Sequence, residues 1–165
     1  MGLSEDLEKI ALQESELVLQ QMDAETAWQL GSLLRTMCVE RSLAVVIDVR
    51  RFGQPLFYAA MEGTTPDNFE WVRRKSNVVA RFHRSSYAVG LREKQKAQTI
   101  YENQGLSLSD YATHGGSFPL RVAGAGVVGS VTVSGLPMRE DHELVIEALC
   151  ALLNRSYLEL RLSPE

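Results

Sequence analysis

At 165 residues, with 45% hydrophobic and 23% charged residues and a net charge of −4, the chain has the size and composition of one soluble globular domain with its own core. A pI near 5.5 argues against a general nucleic-acid binder, and no run approaches the roughly 18 apolar residues of a membrane span. The amino terminus is acidic and amphipathic, without the start or core of a secretory signal, and Asp6 stands where a myristoylation motif wants Ser or Thr, so a cytoplasmic protein is expected.

Leu3, Leu7, Ile10, Ala11, Leu17 and Val18 recur at helical spacing and predict a first helix over residues 4–21. Asp23 then offers an N-cap for a second, striped by Ala27, Leu30, Leu34, Met37 and Cys38 and ending near Arg41. Cys38 and Cys150 both fall in apolar helical patterns without CxxC spacing and read as buried free thiols. "LAVVIDV" at 43–49 and "PLFYAAM" at 55–61, on either side of "RRFGQ", predict a β-hairpin. "EGTTPDNF" supplies an Asp67 cap for a third helix carrying Phe69, Val72, Val79 and Phe82, and shorter helical pieces fill 87–112. A second hairpin joins 118–123 to 127–133, and Leu144, Val145, Ala148, Leu149 and Leu152 set out a closing helix over 139–158.

Read together, this is a single α+β domain over 1–165, with helices in 1–42 and, in 43–158, two hairpins and further helices. The element order is α-α-β-β-α-α-β-β-α, which argues against a doubly wound parallel sheet. Glycines 124, 126 and 129 spell G-x-G-x-x-G, but a dinucleotide fingerprint must open a helix onto the pyrophosphate. Here "VVGSVTVSG" follows, which favours extended chain. Gly124 and Gly126 are therefore expected in a hairpin turn, and Gly129 where a neighbour comes close.

Three stretches carry a family resemblance. "LAVVIDVRRFGQPLFYAAMEG" resembles the opening hairpin of the GlcG-like or HbpS-like haem-binding domains, also called the haem-degrading family, matching at Asp48, Gly53, Met61 and Gly63. "VRRKSNVVARFHRSS" is similar to the family's lysine-bearing helix, with Lys75 and Ser76 at the matching positions, and "GGSFPLRVAGAGVVGSVTVSGLPMREDH" resembles the signature leading into its last helix. The extra residue in "GGSFP", Leu136 after "VSG" and His142 beside Asp141 mark a divergent branch. The resemblance implies a profilin-like or PAS-like α+β fold, layered as a central antiparallel sheet of four to five strands flanked by helices, with assembly into homo-oligomers and haem as the candidate cofactor.

Lys75 lies four residues after Trp71 and seven before Phe82, so it points along the apolar side of its helix, where it either flanks a cleft and binds a ligand carboxylate or snorkels past the core. "HGGS" at 114–117 and "SGLP" at 134–137 are glycine-bearing loops that bracket the second hairpin, and the second leads into a helix N-terminus with Glu140, Asp141 and Glu143 ready to cap it. His83, His114 and His142 lack the spacing of a structural metal site, although a single His114 or His142 could hold haem. Ser134, Asp141 and His142 supply triad residue types, but adjacent Asp and His on one helix diverge by about 100°.

The candidate ligand contacts are therefore Lys75, His114, Gly115, Gly116, Ser134, Gly135 and His142, with no metal site and no catalytic residue assigned. One reading is a homo-oligomeric domain binding haem, another tetrapyrrole or another planar anion, with haem degradation as its enzymatic form. A second is a non-catalytic interaction module that recruits a protein partner. It uses the charge segregation of eight acids against three bases in 1–42 and three against eight in 66–96, and predicts that charge reversal at Arg73 and Arg74 abolishes partner binding. A third is an enzyme acting on a small carbonyl or acid substrate.

Overall fold

A computed structural model describes residues 2–165. α1 (Leu3–Glu16) leads into a two-residue strand β1 (Val18–Leu19), and α2 (Ala24–Arg41) starts where the Asp23 carboxylate accepts a hydrogen bond from the Thr26 N–H. The first hairpin is β2 (Val46–Arg51) and β3 (Gln54–Ala60), turned on Phe52 and Gly53. α3 (Pro66–Phe82) is capped from Thr65, whose N–H donates to the Asn68 side chain at 2.9 Å, and proline occupies its first turn. α4 (Ser86–Lys96) and α5 (Ile100–Gln104) follow, then the hairpin of β4 (Ser117–Val122) and β5 (Gly126–Ser134). α6 (Met138–Leu152) and the short α7 (Tyr157–Leu160) close the chain.

The five strands form one sheet in the order β1-β4-β5-β2-β3, antiparallel except that β1 runs parallel to β4. Alternation along the strands gives the sheet two unlike faces. Ile47, Val49, Phe118, Leu120, Val131 and Val133 point into the main core, where α2 contributes Leu30 and Leu34 and α6 contributes Val145 and Leu149. The opposite side chains of β5 are Ser130, Thr132 and Ser134, all buried, and α3 covers them. A polar inner face under a helix needs partners for its hydroxyls: Lys75 of α3 donates to Ser134 Oγ, and the Thr132 hydroxyl pairs with that of Ser117.

The expected elements are present, with their boundaries changed in physically clear ways. The first helix stops at Glu16 rather than near residue 21, because the next residues pair with β4 as β1. Its buried face is only part of the aliphatic stripe: Ile10 and Leu17 are buried and Leu7 packs beside Ile10. Leu3 and Ala11 are exposed, while Asp6, Gln13 and Glu14 are buried beside Ile10, because Arg139 and Arg84 neutralise the two acids at 2.7 and 3.0 Å. The cap of α3 is Thr65 rather than Asp67. The closing helix ends at Leu152, since Asn154 turns into the left-handed region (φ 55°).

The glycine fingerprint lies in sheet. Gly124 and Gly126 sit at the hairpin turn with φ of 79° and 82°, and a Cβ at Gly129 would collide with the Arg50 carbonyl of the paired strand. Gly129→Ala is accordingly expected to lower stability by about 1–3 kcal/mol through overpacking between β2 and β5. Urea denaturation midpoints measure it, and an unchanged midpoint would show that the strands part to admit the methyl group.

Candidate functional site

At the end of the sheet, the amino-terminal half of α3, the 114–116 loop and the 134–138 connection enclose a pocket of about 260 Å3. Lys75, His114, Ser134 and Gly135 all line it, so four of the expected contacts meet in one place. Trp71, Leu136 and Met138 add apolar wall. A second pocket of about 330 Å3 adjoins the first, shares His114 and Met138 with it, and extends toward Lys94 and Thr99. Together they make a groove of the size that small-molecule sites occupy, about 300–1,000 Å3.

Lys75 is only 3% exposed and does not snorkel. Its Nζ lies 3.0 Å from Asp141 Oδ2 and 3.3 Å from both Ser134 Oγ and the Val133 carbonyl. Asp141 in turn accepts hydrogen bonds from the Leu136 and Gly135 N–H groups at 2.9 and 3.3 Å, so it anchors the loop before α6 rather than capping the helix itself. Burial drives the Lys75 amine below the usual lysine range and the Asp141 carboxyl above the usual carboxylate range, with their mutual attraction opposing both shifts. Gly116 keeps the space at the amine clear, since a Cβ there would stand 2.9 Å from Nζ and against the Val133 carbonyl.

His114 stands exposed on the rim, edge-on to the Trp71 ring at 4.9 Å between centroids. Partial burial, and then the cations Lys75, Arg74 and Lys94, hold its pKa below the ordinary histidine value. At neutral pH the imidazole is therefore uncharged and offers a lone pair. Arg74 lies over the other part of this wall, its guanidinium 4.6 Å from the Trp71 ring.

His142 is placed elsewhere. It is fully enclosed between Tyr87 and Phe118, and its Nε2 pairs with Gln13 Oε1 at 2.8 Å. Because the Gln13 amide nitrogen donates to the Leu160 carbonyl, Gln13 Oε1 must accept, so the proton of His142 sits on Nε2 and its buried Nδ1 has no partner. Gly115 and Gly116 do not line the pocket but back it, with Gly115 against the Met138 carbonyl. The basic run is also committed. Arg73 binds Glu70, Asp110 and the Ser109 carbonyl, and Arg74 donates to the Leu108 carbonyl, so reversing their charge would unpick the 105–113 segment as well as any docking face. Part of the charge segregation is satisfied within the chain, where Arg84 pairs with Glu14 of α1.

The residues that sequence reasoning left out of the pocket are Asn68, Trp71, Leu136, Met138 and Asp141. Asn68 and Trp71 precede Lys75 by seven and four positions, the spacing of one helix face, and could have been found from it. Among the described residues no cluster of three or more His, Cys, Asp or Glu side chains is arranged to hold a metal ion, and no helix is long and apolar enough to cross a membrane.

A family model described as haem-degrading protein, HbpS-like, matches residues 22–150. Curated relatives include a UPF0303 protein of Acidobacterium capsulatum, 60% identical over 98% of both chains, and one of Burkholderia thailandensis, 60% identical over 99% of both. Among solved structures, the Ybr137w protein superposes with a TM-score of 0.84 at 27% identity, covering 93% of this chain and 92% of its own. HbpS (TM-score 0.64, 19% identity, 81% and 90% covered) and a PduOC:heme complex (0.68, 15%, 82% and 97%) share the fold.

Proposed function

The chain belongs to the HbpS-like haem-degrading protein family, and from that premise we propose that it binds haem, or a closely similar anionic tetrapyrrole, in the groove that passes His114. The observation that carries this reading is the rim imidazole. His114 is neutral and reachable, and its ring nitrogens make no hydrogen bond to any described residue. The chemistry of the surroundings fits the group. Trp71, Leu136 and Met138 offer apolar surface to a macrocycle, and a solved protein of this fold is described as a heme complex.

Lys75 is already neutralised by Asp141, so the carboxylate arms fall to exposed Lys94 and the partly exposed Arg74. Bound haem would supply an iron centre, and His114 would hold it through a ring nitrogen. The chain's own contribution is to hold the His114 ring uncharged against Trp71 and to keep one side of the ligand dry.

Titration with haem should give a shifted Soret band that saturates at about one haem per chain, and His114→Ala should weaken binding at least about tenfold by removing the nitrogen that would hold the iron. Failure of the wild type to saturate sinks the reading, and a normal band in His114→Ala removes this histidine from it.

Self-association belongs to the same proposal. β3 is an unpaired sheet edge, seven residues long, flanked by Phe52 (80% exposed), Trp28 (61%) and Tyr58 (46%), a surface that a second copy can cover by strand pairing. Native mass spectrometry of the haem-treated protein reads subunit number and retained ligand in one spectrum.

A further inference from the structure

Retaining a lysine and an aspartate inside a protein is costly, and replacing such a pair with well-packed apolar residues commonly leaves stability unchanged or improved. Lys75 and Asp141 are respectively 3% and 1% exposed, yet they sit at the floor of a pocket rather than in sealed core. Gly116 leaves room at the amine, Ser134 Oγ stands 3.3 Å from it, and Trp71, one turn earlier on the same helix, and His114 line the pocket beside it. An amine kept accessible from a small cavity, with a carboxylate in contact to take and return its proton, is the arrangement that carbonyl condensation requires.

We propose that Lys75 is a nucleophile that forms an imine with a small carbonyl compound, most readily a short 2-oxo acid, with Asp141 as its proton acceptor and donor. The size of the cavity, about 260 Å3, suits a molecule of a few heavy atoms, and the positive field of Arg74 and Lys94 at the rim favours one bearing a carboxylate. This goes beyond haem binding and does not depend on it.

The step balances without a co-reactant. Lys75 gives one proton to Asp141, and the freed Nζ lone pair forms a C–N bond to the carbonyl carbon as the C=O π pair moves to oxygen. That oxygen takes the proton back from Asp141, and the nitrogen loses its surplus proton to the same carboxylate, giving a neutral carbinolamine. Protonated again from Asp141, the hydroxyl leaves as water while the nitrogen lone pair closes the C=N bond. The sum is one ammonium and one carbonyl converted to one protonated imine and one water. Burial assists the first transfer, because it brings the proton affinities of the two groups closer together than in water.

The test is reductive trapping of the full chain with pyruvate and cyanoborohydride, read by intact mass and peptide mapping. One reductively coupled pyruvate per chain, on Lys75, is expected at a rate at least tenfold above that of the other lysines, Lys9, Lys94 and Lys96. Lys75→Arg should abolish that adduct, and Asp141→Asn should slow it at least tenfold while the circular dichroism spectrum stays native. Methyl pyruvate, which carries the same ketone without the charge, should show a smaller preference for Lys75 over the surface lysines than pyruvate does. Labelling spread evenly over the surface lysines, or absent from Lys75, overturns the inference. The haem titration is run on the same wild-type preparation, so trapping without a Soret shift defeats only the earlier reading, and a Soret shift without trapping defeats only this one.

Discussion

Asp141→Ala is expected to lower folding stability by about 3–5 kcal/mol, since it leaves the buried Lys75 ammonium without its carboxylate and deprives the Gly135 and Leu136 N–H groups of their acceptor. Lys75→Met removes the other partner and should cost less, because the Asp141 carboxylate keeps its two backbone donors and has its pKa already raised toward the neutral form. The double variant Lys75→Met with Asp141→Asn leaves no buried charge and preserves an acceptor for the loop, so it should recover most of the loss. Urea denaturation of the four proteins decides the matter. Single variants within about 1 kcal/mol of the wild type would mean that water reaches the pair and screens it.

Acid should weaken the protein through His142. Burial first, and then the neighbouring Arg139, push its pKa down to about 3, against about 6.5 in an unfolded chain. Above pH 6.5 the histidine is neutral in both states and contributes no pH dependence. Below it the unfolded state takes up a proton that the folded state refuses, so stability falls by about 1.4 kcal/mol for each pH unit down toward pH 3. Between pH 6.5 and 5 that amounts to about 2 kcal/mol. Glu14, Asp141 and Glu143 act in the opposite sense, because burial raises their pKa values and the folded state binds protons first. The clean observable is therefore the difference between wild type and His142→Gln, which keeps a donor for Gln13 Oε1 but does not titrate. Their denaturation profiles should converge as pH falls, and profiles that stay parallel from pH 7 to 5 would refute the role given to His142.

How far the sequence foretold this molecule depended on which force decided each element. The β-branched run 127–133 and the stripe of α2 are governed by apolar burial against one dominant core, and both lie where periodicity puts them. α1 is governed instead by Arg84 and Arg139, about 70 and 130 positions away along the chain, which turn its acidic face inward, and local periodicity carries no trace of partners so remote. β1 was illegible for a related reason, since two residues acquire strand geometry only from the neighbour that binds them.

The pocket was partly legible. Lys75 betrayed itself as a charge on an apolar helix face, and the loops at 114 and 134 betrayed themselves by their glycines. His142, within the first turns of α6, has the same residue type as His114, and only the packing of Tyr87 and Phe118 around it separates a structural histidine from a reachable one. Asp141 read as an ordinary helix-end acid because its partner lies 66 positions away.

The two ends of the chain meet around α6. Arg139 grips Asp6 and the Ser163 carbonyl at once, Gln13 spans from His142 to the Leu160 carbonyl, and Lys9 reaches the Glu159 carbonyl. With the first helix and the carboxyl-terminal turn sharing the same fasteners, neither can fray alone. Amide hydrogen exchange in the two segments is accordingly expected to report one shared cooperative opening, the opening that would wet the histidine beneath them.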